Sequence, residues 1–118
     1  MSARRINEEF GIYAATKNAV LSTVRTLALE LGKDGIRVNS VLPGYIWGDS
    51  VEWYFKFLAE EKGITPQEQY DSVASETALH HLPTSAEIAD SVLFFASPLS
   101  RVVTGQTLDV NGGHYFAP

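Results

Sequence analysis

Cysteine is absent from the 118 residues, which excludes disulfides, thiolate chemistry and cysteine-based zinc sites. No apolar run approaches the roughly 20 residues of a membrane-spanning helix. No apolar stretch follows Arg4 and Arg5, so a secretory leader is not expected, and neither is a membrane partner. Positive charge is scarce: nine lysines and arginines stand against fourteen carboxylates, a formal net charge of −5. Both signs are scattered, which speaks against nucleic acid or an anionic membrane, since each selects for basic patches. Repeats and low-complexity stretches are missing as well. What is present is a chain 45% apolar, long enough for one domain with a core and expected by default in the cytoplasm.

Residues 1–10 are polar and aperiodic and read as a loop. From Gly11 to Leu31 the residues Tyr13, Lys17, Val20, Val24, Leu27 and Leu31 recur at spacings of three and four, which predicts a helix with these along one face. Gly32 is a natural stop, and Lys33-Asp34-Gly35 is turn chemistry. Residues 36–42 alternate apolar and polar with branched side chains, predicting a strand that Pro43-Gly44 ends. The stretch 45–83 is less regular. Asp49 with Glu52, and the capping box Thr65-Pro66-Gln67-Glu68, predict helices over about 50–62 and 66–79, broken at Gly63. A second capping box, Thr84-Ser85-Ala86-Glu87, opens a helix in which Ile88, Val92 and Phe95 share a face and Ser97-Pro98 is the stop. Residues 106–110 read as a second strand, ended by Asn111-Gly112-Gly113. This order predicts an α/β fold whose two strands are parallel and joined by a right-handed crossover.

The sharpest chemistry lies at Tyr13 and Lys17. At i and i+4 in the first turns of a helix their side chains point the same way. A phenol has a pKa near ~10, too high for easy proton exchange at neutral pH. A nearby ammonium and the positive end of the helix dipole both favour phenolate. The pair therefore suits general acid/base work on a carbonyl–alcohol interconversion. Tyr-x-x-x-Lys is common, however, and an ordinary helix with an exposed lysine is the bland alternative. His80-His81 are expected to point to different sides of a helix with no partner at ligand spacing, and His114 likewise has no evident partner. A surface or packing role is expected for them, and no metal site. Glu60-Glu61-Lys62 reads as a solvated face.

Four linked stretches resemble the second half of classical short-chain dehydrogenases/reductases. They are Tyr13-Ala14-Ala15-Thr16-Lys17-Asn18-Ala19-Val20, then Leu27-Ala28-Leu29-Glu30-Leu31, then Ile36-Arg37-Val38-Asn39-Ser40-Val41-Leu42-Pro43-Gly44, and the ending from Glu87-Ile88-Ala89 through Phe94-Phe95-Ala96-Ser97 to Thr104-Gly105-Gln106-Thr107-Leu108-Asp109-Val110-Asn111-Gly112-Gly113. The resemblance implies the C-terminal half of a Rossmann-like doubly wound parallel sheet, with residues 1–118 forming part of one dinucleotide-binding oxidoreductase domain. It implies Tyr13 as the catalytic acid/base, with Lys17 lowering its pKa and binding the nicotinamide ribose of NAD or NADP. Pro43-Gly44 would form a turn against the nicotinamide, and Ile46 would hold its carboxamide through the backbone. The stretch 45–83 falls at the family's substrate loop. Its aromatics, among them Tyr45, Trp47 and Trp53, suit a lid over a bulky apolar substrate, a small-molecule alcohol or ketone, with packing against the domain as the alternative.

Departures from the family pattern are part of the reading. Gly48 stands where the family commonly has a threonine near the cofactor. The catalytic serine usually lies thirteen residues before the tyrosine, and Ser2 is two positions off. No Gly-x-Gly-x-x-Gly occurs, so the turn that holds a pyrophosphate at a helix N-terminus is not among these residues, nor is the strand that would distinguish NAD from NADP. Two readings follow. One is an NAD(P)-dependent oxidoreductase that needs the other half of the fold. The second is a non-catalytic fragment acting as a self-associating structural module. In the family the helix bearing tyrosine and lysine packs on its copy, and the last helix and strand form another contact, which implies a homo-oligomer, dimer or tetramer. A sugar epimerase also carries Tyr-x-x-x-Lys, but the ending at 106–113 close after the last helix fits the classical branch better.

Overall fold

A computed structural model describes residues 11–116. The expected loop over 1–10, with Ser2 in it, lies outside the described residues. Helix α1 spans Gly11–Leu31, as the spacing predicts. A 3₁₀ turn over Gly32–Asp34 follows, and Gly35, at φ 73°, donates its N–H to Gly32 O. The buried face differs from expectation: Leu21, Val24 and Ala28 are buried, whereas Val20 and Leu27 are exposed. At 100° per residue the buried trio is centred about 70° round the helix from the stripe through Tyr13, Val20 and Leu27. Packing uses the flank, where a Cβ added at Gly105 would lie 3.4 Å from Ala28 Cβ.

Strands β1 (Ser40–Pro43) and β2 (Thr107–Val110) form a two-stranded parallel sheet, in register from Ser40 with Thr107 to Pro43 with Val110. The first strand is shorter than the alternation predicts. Before Ser40 the chain bonds outside the ladder: Val38 N donates to Thr104 Oγ1, and Gly105 N donates to Val38 O. Pro43 is the last rung rather than the residue that stops the strand. Arg37 clasps the far side, donating to Ser100 Oγ at 3.0 Å and Phe95 O at 2.7 Å. Asn39 bridges Val103 O and Gln106 N.

Between the strands come α2 (Asp49–Lys62), α3 (Pro66–Ala74) and α4 (Ser85–Ala96), with a 3₁₀ turn at Pro98–Ser100. Both capping boxes form. Thr65 N donates to Glu68 Oε2 at 2.7 Å and Glu68 N returns to Thr65 Oγ1 at 3.1 Å. The Thr84–Glu87 box repeats this at 2.8 and 3.3 Å. Helix α3 stops at Ala74, before the expected 79: Thr77 Oγ1 donates to Ala74 O, and Ala78 N and Leu79 N are taken by Gly113 O and Gly112 O instead of by a helical turn. His80 and His81 therefore sit in a turn, His80 with φ 50°, and not on a helix. On α4 only Ile88 is buried; Val92 is exposed and Phe95 half-buried.

The tightest apolar cluster is Phe55, Ala74 and Leu82, with Trp47, Val51, Tyr70 and Val73 packed against it. It belongs to the 45–83 excursion and not to the sheet. The excursion closes on itself at its neck, where Trp47 N donates to Pro83 O at 2.7 Å and Trp47 bridges to Thr84.

Candidate active site

Parallel pairing sends both strands out of the sheet at the same end, the end at which open α/β sheets bind ligands. There Gly44 runs against Asn111: a Cβ on the glycine would lie 3.0 Å from Asn111 Cβ. Pro43, Gly44 and Ile46 are half-buried in this stretch. Gly44 thus has a packing reason of its own for lacking a side chain.

Tyr13 and Lys17 stand in the first turns of α1, both exposed. Lys17 Nζ lies over the Tyr13 ring, 5.4 Å from its centroid, so the two groups face the same side. Thr16 Oγ1 bonds back to Tyr13 O at 2.8 Å and leaves that face to the phenol and the amine.

The three aromatic candidates divide. Tyr45 meets the buried Phe55 edge-on at 5.9 Å, and Trp47 meets Phe55 at 5.6 Å and Tyr70 edge-on at 4.7 Å. Trp53 stands apart, 70% exposed and stacked on Phe57 at 6.3 Å. Tyr45 and Trp47 thus share one neighbour, while Trp53 belongs to the outer face of α2. Gly48, where the family pattern has a threonine, is the extended N-cap of α2 and supplies no side-chain cap.

The histidines have the partners that their sequence neighbourhood hides. His81 Nε2 lies 2.8 Å from Glu87 Oε2, and His114 Nε2 lies 3.3 Å from Glu76 Oε2. The Glu87 carboxyl is held down to about 2, first by the Thr84 backbone N–H and then by His81. Among the described residues no group of three or more His, Asp or Glu is placed to hold a metal ion. A cavity of about 620 Å³, walled by Leu79, Pro83, Val110, Tyr115 and Phe116 with His81 and Glu87, does not include Tyr13 or Lys17.

The docking of the 77–81 turn on 111–113 is not evident in the sequence. Leu79 N donates to Gly112 O at 3.0 Å and Ala78 N to Gly113 O at 3.3 Å. Gly112 and Gly113 have φ 65° and 78°, and a Cβ on them would lie 2.9 Å from His81 O and 2.6 Å from Ala78 Cβ. The paired glycines are the one signal that could have marked this contact.

Comparison with known proteins follows the same lines. A family model described as "Enoyl-(Acyl carrier protein) reductase" matches residues 1–115. The chain is 43% identical over 102 residues to glucose 1-dehydrogenase of Gluconobacter oxydans (strain 621H), covering 86% of this chain and 35% of that protein. It is 38% identical over 104 residues to (3R)-3-hydroxyacyl-CoA dehydrogenase of Canis lupus familiaris, covering 88% and 36%. Among solved structures, L-sorbose reductase from Gluconobacter frateurii, complexed with NADPH and L-sorbose, superposes with a TM-score of 0.83 at 30% identity, covering 92% of this chain and 41% of that one. The chain spans about a third of the length of the curated relatives it matches. It belongs to the short-chain dehydrogenase/reductase family, whose members are oxidoreductases built on the Rossmann fold.

Proposed function

We propose that this chain carries the proton-transfer and substrate side of an NAD(P)-dependent oxidoreductase that interconverts a secondary alcohol and a ketone. The observation that carries the proposal is the phenol of Tyr13 sharing one face of α1 with the amine of Lys17. In reduction, Tyr13 gives its Oη proton to the carbonyl oxygen; in oxidation it takes the alcohol proton back.

The residues present fit the nicotinamide end of a dinucleotide. Lys17 would bind the ribose, the turn Pro43-Gly44 would flank the ring, and the Ile46 backbone would hold the carboxamide, all at the ligand-binding end of a parallel sheet. When bound, the nicotinamide supplies or accepts the hydride. The solved L-sorbose reductase holds NADPH, which supports a nicotinamide cofactor and leaves the choice between NAD and NADP open. The excursion 45–83 serves as the substrate lid, with Tyr45, Trp47 and Trp53 as its aromatic contacts to an apolar small-molecule alcohol or ketone. Cytoplasmic residence is part of the same proposal.

Removing the phenol tests the reading. In the polypeptide that joins this chain to a dinucleotide-binding segment, Tyr13→Phe should lower kcat by about 10²- to 10⁴-fold while leaving cofactor binding intact. Unchanged turnover would refute it. The 118 residues alone contain no Gly-x-Gly-x-x-Gly, so titration with NADH should show no low-micromolar binding. A second reading, a self-associating module without catalysis and forming a dimer or tetramer, draws support from the apolar residues left exposed on α1 and α4, Val20, Leu29 and Leu93 among them.

A further inference from the structure

The tail after β2 reaches the same end of the sheet as Tyr45, and the chemistry proposed above makes no use of it. Because Pro43 pairs with Val110, the two chains leave the sheet side by side, with Gly44 against Asn111. Asn111 then organises the tail: its Oδ1 accepts from Gly113 N and its Nδ2 donates to Tyr115 O, both at 2.9 Å, while His114 N donates to Asn111 O. That turn aims the His114 side chain at the loop after β1. Its ring lies 5.9 Å from the Tyr45 ring at 32°, and its Nε2 lies 3.3 Å from Glu76. The side chain is only 15% exposed.

Tyr45 is thus bracketed by two rings, Phe55 edge-on at one side and His114 at the other. It nevertheless keeps part of its own surface open. A ring held on two sides and open on a third has few rotamers left, which is how a contact residue is pre-organised. Packing alone would be met by phenylalanine at 114. An imidazole adds a nitrogen that Glu76 can grip, fixing the plane of the ring as well as its position.

We propose that His114 is a positioning residue for the substrate mouth, holding Tyr45 against an alcohol or ketone while Glu76 orients the imidazole. The proposal rests on the reading that the loop after β1 faces substrate. Its test uses the whole chain, with cyclohexanol as the probe and saturation-transfer NMR as the readout. His114→Leu, with folding checked by circular dichroism, should raise the cyclohexanol dissociation constant about 2- to 10-fold, the range expected for losing one ring–ring contact. His114→Phe, which keeps a ring but offers Glu76 no nitrogen, should recover only part of that loss, and full recovery would remove Glu76 from the proposal. Tyr45→Ala should shift the His114 ring protons as the neighbouring ring current disappears. Absence of cyclohexanol contact, an unmoved constant in His114→Leu, or equal damage in the leucine and phenylalanine variants would each overturn the proposal. NADH-dependent turnover is scored separately, in the polypeptide that joins this chain to a dinucleotide-binding segment. Tyr13-dependent turnover alongside binding indifferent to His114 discards the positioning role and keeps the oxidoreductase; His114-dependent binding without Tyr13-dependent turnover does the reverse.

Discussion

Phe55 has 1% of its surface exposed and touches the rings of Tyr45, Trp47 and Tyr54. Truncating it leaves a cavity in the one dense apolar cluster, so Phe55→Ala should cost about 3–5 kcal/mol, read from the urea midpoint of the circular dichroism signal. Gly113 fails differently. At φ 78° and with Ala78 Cβ 2.6 Å from where its own Cβ would be, Gly113→Ala should destabilise by more than about 1 kcal/mol. A variant melting with the parent would mean that 111–113 does not dock on 77–81. Residue by residue, legibility in the sequence varied with the range of the contact. The pairing of Tyr13 with Lys17 follows from i,i+4 geometry and is present in the fold. The partners of His81 and His114 could not be read, since Glu87 and Glu76 come to them through tertiary turns and not through spacing. For Trp47, composition does not say which ring meets which; one side of it packs on Phe55 and Tyr70 in the excursion's own cluster.

At the scale of elements, local chemistry was the reliable guide. Both capping boxes and the bounds of α1 form as read, because each depends on atoms within four residues. Strand 36–42 and helix 66–79 were overdrawn where distant partners took over: Thr104 and Gly105 ahead of Ser40, Gly112 and Gly113 beyond Ala74. The α4 box offers two measurements. Thr84→Ala should cost about 1 kcal/mol of stability in thermal unfolding. The Glu87 carboxyl, held down to about 2 by the Thr84 N–H and His81, is depressed below its ordinary value of 4.5. Its contribution is therefore complete above that value and lost as pH falls towards 2. The melting temperature should drop across this window, less steeply in Glu87→Gln. Parallel profiles for the two proteins would remove Glu87 from the account.

The molecule as a whole is extended for its size. Its radius of gyration is 16.7 Å, against roughly 13–14 Å for a compact domain of this length, and its long axis is 57 Å. Helix α1 buries three of its 21 residues, and two parallel strands are fewer than a free-standing sheet needs. The isolated chain should bind a fluorescent apolar dye and elute from gel filtration ahead of a 13.0 kDa monomer. A compact monomer that leaves the dye dark would contradict this and would count against the self-associating reading.

The neck of the excursion has a consequence for how such a fold can vary. Its two ends are joined by one hydrogen bond, Trp47 N to Pro83 O at 2.7 Å, and its interior packs largely on itself. The strands therefore register the excursion at this neck and, through the tail after β2, where Ala78 and Leu79 dock on Gly113 and Gly112. Extra residues inserted between those ends add only a logarithmic closure entropy, about 0.6 kcal/mol for each doubling of length. An insert of another length that kept this neck and the 77–81 turn would recast the pocket wall while the strands kept their places.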